Sequence, residues 1–115
     1  MDRPRLLLVE DDGMACSLMQ DILAPQGLSV MTARTVAEGL ALLESRPDYL
    51  ILDLSLPDGD GRDVLERVRQ AGRPIRVVVT SGWDEPHGLD DLRPDAVLVK
   101  PFSVAGLLNG LGLPR

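Results

Sequence analysis

The 115-residue chain is poor in aromatic residues, with one Phe, one Trp and one Tyr. A core with so few rings must be aliphatic, built from Leu, Val, Ile and Ala. A single cysteine, Cys16, cannot close an internal disulfide, which excludes a disulfide scaffold and suits a reducing cytoplasm. No apolar run approaches the ~18 residues of a membrane-spanning helix. Arg3 and Arg5 precede only a short apolar run before acids begin, so no signal peptide is expected. Basic residues are too few to grip the phosphates of nucleic acid: 12 Lys and Arg against 18 Asp and Glu leave a net charge of −6. Lysine is almost missing from that basic set, since Lys100 is the only one. The remainder is an ordinary globular composition, 44% apolar and 26% charged, at a length that fits one domain over residues 1–115.

Short apolar runs alternate with stretches of helical period. Leu6, Leu7, Leu8 and Val9 form a continuous apolar run followed by acids, which reads as a strand buried on both faces. Met14, Leu18, Met19, Ile22 and Leu23 recur at helical spacing, and Pro25 and Gly27 stop that helix. A second, more polar strand is predicted over 28–33. Thr35-Val36-Ala37-Glu38 reads as a capping box, with Thr35 as N-cap and Glu38 reaching back. The helix it opens carries Val36, Leu40 and Leu43 on one face and ends before Pro47. An apolar strand over 49–52 leads into turn chemistry at 57–61. Val64, Leu65 and Val68 then mark a helix that stops at Gly72. Strands are predicted over 75–79 and 96–99, and Ser103 caps a last helix with Val104, Leu107 and Leu108. Between Gly82 and Pro94, Pro86 and Gly88 leave room only for a short helix. Strand then helix, five times over, implies an α/β fold: a doubly wound, mostly parallel five-stranded sheet with helices on both faces.

Ligands of such sheets bind at the carboxyl ends of the strands. Glu10, Asp11 and Asp12 follow the first strand, Asp53 ends the third, Thr80 and Ser81 end the fourth, and Lys100 and Pro101 end the fifth. Only Ala33 and Arg34 follow the second, which fits a strand lying to one side of the site. Carboxylates placed within a few ångströms oppose folding unless a cation or a proton intervenes. Clustered carboxylate oxygens suit Mg²⁺, a hard ion, with Mn²⁺ as the alternative. Taken singly, each residue has an ordinary reading. Acids after a strand complement a helix macrodipole, an Asp can cap a turn, and Thr is at home in strands. Taken together they suit phosphoryl chemistry. An Asp beside a divalent ion can attack phosphorus to give an aspartyl phosphate. The ion and Lys100 would neutralise charge on the transferring group, and the Thr80 hydroxyl could donate to one of its oxygens.

Four motifs carry a family likeness: Leu8-Val9-Glu10-Asp11-Asp12, Leu52-Asp53-Leu54-Ser55-Leu56-Pro57-Asp58-Gly59-Asp60-Gly61, Val79-Thr80-Ser81-Gly82 and Val99-Lys100-Pro101-Phe102. In this order and spacing the chain resembles, over about residues 4–110, the response regulator receiver domain of two-component signalling. The resemblance implies a flavodoxin-like sheet of order 2-1-3-4-5. It implies Asp53 as phosphoacceptor, with Mg²⁺ held by Glu10, Asp11, Asp53 and the backbone carbonyl of Ser55. Thr80 would be the switch hydroxyl, Lys100 the phosphoryl contact and Pro101 a cis-proline. The implied role is that of a cytoplasmic signalling domain rather than an enzyme with a separate substrate. It would take a phosphoryl group from a histidine kinase or phosphotransfer protein and control a downstream protein or output domain. Dimerisation on phosphorylation is compatible with that role, and direct binding of nucleic acid or membrane is not expected.

Two departures from the family pattern bear on output. Val97 stands three residues before Lys100, where the family usually has Tyr or Phe, and the Thr80–Lys100 interval is slightly short. The response to phosphorylation is therefore expected over 81–92, where Trp83 is a natural reporter. Two other readings compete. One is an interaction module of the same fold that is never phosphorylated, against which the intact acids, Thr80 and Lys100 stand. The other is a metal-dependent phosphatase with an aspartyl nucleophile, which needs a second Asp two residues on, where this chain has Ser55. Cys16 reads as a small packing residue, and His87 as a solvated loop residue rather than a phosphohistidine.

Overall fold

Four consecutive apolar side chains can all be buried only if both faces of their strand are covered. Leu6, Leu7, Leu8 and Val9 meet that condition in the computed structural model, each without exposed surface. The structure describes residues 3–82 and 92–113. Strand β1 (Arg5–Val9) leads to helix α1 (Gly13–Leu23), β2 (Ser29–Ala33), α2 (Val36–Leu42) and β3 (Tyr49–Asp53). A minimal hairpin, β4 (Ser55–Leu56) and β5 (Gly59–Asp60), precedes α3 (Arg62–Ala71). Then come β6 (Arg76–Ser81), β7 (Ala96–Val99) and α4 (Val104–Leu111). The main sheet has the order β2-β1-β3-β6-β7, and all its pairings are parallel. With the hairpin set aside this is the expected order 2-1-3-4-5.

Alternate residues of each central strand feed opposite layers. Leu7, Val9, Leu50, Leu52, Val77 and Val79 pack with Val36 of α2 and with Val64, Leu65 and Val68 of α3. Leu6, Leu8, Ile51 and Val78 pack on the other face with Cys16, Met19 and Leu23 of α1 and with Leu107, Leu108 and Leu111 of α4. Truncating any of the fully buried leucines to Ala would cost about 2–5 kcal/mol. The two aliphatic layers hold the five strands in one parallel register, which brings the strand ends together. Asp53 lies opposite Thr80, and Ser81 opposite Val99.

Several details differ from expectation. In α1, Met19 and Leu23 are buried as expected, but Met14 and Leu18 are 75% and 60% exposed, and Cys16 packs in their place. Helical spacing groups residues on one side of a helix without fixing which edge of that stripe meets the sheet. The turn read over 57–61 is present at Pro57-Asp58, and it joins a paired hairpin that was not expected, with Ser55 opposite Asp60 and Leu56 opposite Gly59. At α2, the Thr35 half of the capping box forms, Oγ1 accepting from the Glu38 amide at 3.1 Å. The amides of Val36 and Ala37 donate to the Asp58 carboxylate, a cap from outside the box. Lys100-Pro101 is cis, as expected. The short helix expected between Gly82 and Pro94, together with Trp83 and His87, falls on residues 83–91, outside the described residues. Among the described residues no helix is long and apolar enough to cross a membrane.

Candidate functional site

Each strand that ends at the carboxyl edge delivers its polar residue at the point where apolar packing stops. Glu10, directly after β1, is only 1% exposed, and Asp53, Thr80 and Ser81 are also buried. The end of β7 is tied down by the Lys100 amide, which donates to the Ser81 carbonyl at 2.9 Å. From there the lysine stem crosses to the acids. Its Nζ donates to Glu10 Oε1 at 2.9 Å and to Asp53 Oδ2 at 3.1 Å. A compact ammonium with three donors can serve two carboxylates in this space, where a planar guanidinium fork would need a wider gap. The other Asp53 oxygen, Oδ1, accepts from the Ser55 amide at 2.9 Å. Carboxyl oxygens of Glu10, Asp11 and Asp53 lie within 4.8 Å of one another. Thr80 stands beside Asp53 on the neighbouring strand, and its carbonyl accepts from the Leu54 amide at 3.1 Å.

Charge does not balance in this pocket. Burial, followed by the hydrogen bond with Asp53, pushes Glu10 up to about 7 against the opposing pull of Lys100. Burial on its own would lower Lys100, but its bonds to Glu10 and Asp53 outweigh it and hold the ammonium above its usual range. Among the described residues, Glu10 Oε2 is the one buried side-chain oxygen or nitrogen without a hydrogen-bond partner. An orphaned buried carboxylate oxygen, facing two further carboxylates, is a donor set that a hard divalent cation completes. The acidic cluster therefore fits Mg²⁺ or Mn²⁺. Asp12 does not join it, because its carboxylate caps α1, accepting from the Met14 amide at 3.0 Å.

The structure thus brings Glu10, Asp11, Asp53, Thr80 and Lys100 to one edge, with Ser55 bonded to Asp53. Three further residues serve the same edge and were not singled out from sequence. Gly61 starts α3 against the back of Asp53. A Cβ there would lie 2.7 Å from the Asp53 carbonyl oxygen and 2.9 Å from Leu54 Cα, so only glycine permits this approach. Asp58, at the tip of the hairpin, holds the first turn of α2. Arg34 was placed with a strand lying to one side, yet its guanidinium reaches the Asp11 carbonyl. The partners of Asp58 and Arg34 are backbone groups, which leave no letter in a sequence. The glycine could have been suspected from its place in the Asp-Gly-Asp-Gly run.

A parallel sheet of this order, with a buried acid–lysine pocket at its carboxyl edge, defines a doubly wound α/β protein with its ligand site at the strand ends. The family model for the response regulator receiver domain matches residues 6–111, and the chain belongs to that family. It is 35% identical over 102 residues to the transcriptional regulatory protein CpxR of Klebsiella pneumoniae, an alignment spanning 86% of this chain and 44% of that protein. It is 37% identical over 114 residues to the transcriptional regulatory protein DltR of Streptococcus agalactiae, spanning 95% of this chain and 50% of that one. The chain therefore spans half or less of the length of these curated relatives. A CheY-like response regulator receiver domain protein from Methanospirillum hungatei JF-1 has the same fold, with a TM-score of 0.88 at 28% identity over 96% of this chain and 92% of that one.

Proposed function

We propose that residues 1–115 act as a phosphorylatable receiver in which Asp53 accepts a phosphoryl group from a phosphohistidine of a partner kinase or phosphotransfer protein. The observation that carries this reading is the single lysine, whose Nζ lies within 3.1 Å of both Asp53 and Glu10 at the carboxyl edge of the sheet. An oxygen of Asp53 attacks phosphorus. The O–P bond forms as the N–P bond of the donor breaks, and the electron pair stays on the imidazole nitrogen, which takes up a proton. Lys100, already donating to Asp53, is within reach of the incoming phosphoryl oxygens and offsets their charge. Glu10, whose burial raises its pKa, would offer its unpartnered Oε2 to a divalent cation in its charged form. Mg²⁺ or Mn²⁺, held by Glu10, Asp11, Asp53 and the Ser55 carbonyl, contributes charge stabilisation of the transferring group when bound. Thr80, beside Asp53 in register, is the hydroxyl that a phosphoryl oxygen would draw in. Attack of water on phosphorus returns Asp53 to its carboxylate form, so the domain also limits the lifetime of its own signal.

The phosphorylated state is read by a downstream protein or output domain in the cytoplasm. The two named relatives are transcriptional regulators, which makes control of transcription the first output to test. Incubation with acetyl phosphate and Mg²⁺ should add one phosphoryl group, read by intact mass. EDTA should abolish the addition. Labelling of Asp53→Asn to the wild-type extent would show that another residue is the acceptor.

A further inference from the structure

We propose that Arg34 and Asp58 form a strut that positions both metal-bearing loops, so that divalent-cation affinity is set partly from the end of β2, a strand that supplies no ligand. The inference rests on the reading that Asp11 and the Ser55 carbonyl hold the ion. Arg34 Nε and Nη2 donate to the Asp11 carbonyl at 3.2 and 2.8 Å. Gly13 keeps the space for that guanidinium, because a Cβ there would lie 3.3 Å from Nη2. Two residues further on, the α2 amides of Val36 and Ala37 donate to Asp58 Oδ1 and Oδ2 at 2.7 and 3.1 Å. Asp58 is at the tip of the hairpin whose first residue is Ser55, and pairing of Ser55 with Asp60 carries a fixed tip back to that residue. Segment 34–37 therefore grips the loop after β1 with a side chain and the loop after β3 with two amides. Neither grip touches the ion: one fixes the backbone carbonyl of Asp11, and the other holds the Asp58 carboxylate at the hairpin tip with two backbone amides. Groups that orient ligands in this way typically change metal affinity by about 10–100-fold when removed.

The sign of the Arg34 effect separates positioning from charge. Removing a cation next to a divalent-cation site should tighten binding by Coulomb's law. Loss of the strut should weaken it. Titration of the intact chain with MgCl₂, followed by calorimetry and by amide shifts, is expected to show one site that Asp53→Asn abolishes. In Arg34→Ala and in Asp58→Asn the Mg²⁺ dissociation constant is expected to rise about tenfold. Arg34→Lys should recover little, since one ammonium cannot reproduce the paired Nε and Nη2 contact. The loss should persist at high salt, where surface charge effects are screened, and melting of Arg34→Ala in EDTA should change little because Arg34 is exposed. Saturating MgCl₂ should restore acetyl-phosphate labelling. Unchanged or tighter binding in either variant, with the wild-type site intact, overturns the strut alone. Absence of a Mg²⁺ site in the wild type overturns the metal reading and the strut with it.

Discussion

Replacing Glu10 by Gln should stabilise the metal-free protein at alkaline pH and weaken it once a divalent ion is supplied. Glu10 is 1% exposed, and one of its oxygens has no partner. Burial, and then the hydrogen bond with Asp53, raise it from 4.5 to about 7. A carboxyl raised on folding contributes its stability fully below the unfolded value and loses it as pH climbs to the folded value. In EDTA this loss runs from about pH 4.5 to pH 7, and above pH 7 the charged form is a constant penalty. About 2.5 pH units at 1.36 kcal/mol each make that penalty about 3 kcal/mol. Gln still offers an oxygen to Lys100 and an amide hydrogen to Asp53, but it forfeits the charged part of the lysine contact, worth about 1 kcal/mol. The net gain is about 2 kcal/mol, or ~8 °C in Tm for a domain of this size. Thermal melts in EDTA at pH 5 and pH 8 would read it: near parity at pH 5, with Glu10→Gln ahead by ~8 °C at pH 8. Millimolar MgCl₂ should reverse the order, because Gln offers the ion no anionic oxygen. A Glu10→Gln variant that melts below wild type at pH 8 in EDTA, or by a margin independent of pH, would refute the reasoning.

Two further consequences are open to simple measurements. Gly61→Ala places a methyl group against the Asp53 carbonyl and Leu54 Cα, neither of which can swing away. It should cost about 1–3 kcal/mol of stability and slow acetyl-phosphate labelling, whereas labelling at the wild-type rate would show that the hairpin yields freely. The Cys16 thiol is buried, donates to the Glu10 carbonyl at 3.3 Å, and is pushed up by burial and then by Glu10. Ellman's reagent at pH 8 should therefore react only as the protein unfolds. Rapid stoichiometric reaction without denaturant would mean that the start of α1 opens readily.

The strands were legible because a run such as Leu6 to Val9 or Tyr49 to Leu52 has no amphipathic alternative, and each ends on the polar residue that the sheet edge needs. Glu10, Asp53 and Lys100 were legible for the same reason: their place along the strand sets their place in space. The exposure of Met14 and Leu18 was not, because neighbouring layers decide which edge of a helical stripe is covered. Arg34 and Asp58 were hidden more deeply. They bind the Asp11 carbonyl and the Val36 and Ala37 amides, and every residue has such groups. Only the path of the chain says which of them lie within reach.

The contact between Lys100 and Glu10 joins residues 90 positions apart, across nearly the whole described chain. During synthesis Glu10 and Asp53 emerge long before Lys100, the lysine that pairs with both. A nascent chain that stops short of residue 100 carries the carboxylates of the pocket with no lysine to pair them. The sheet meanwhile lacks β7 and the anchoring of Lys100 to Ser81. Pairings of such long sequence separation form late because their loops must close first. The last strand of the sheet therefore works as a seal of completeness: the Asp53 carboxylate gains its lysine only once β7 has docked beside β6.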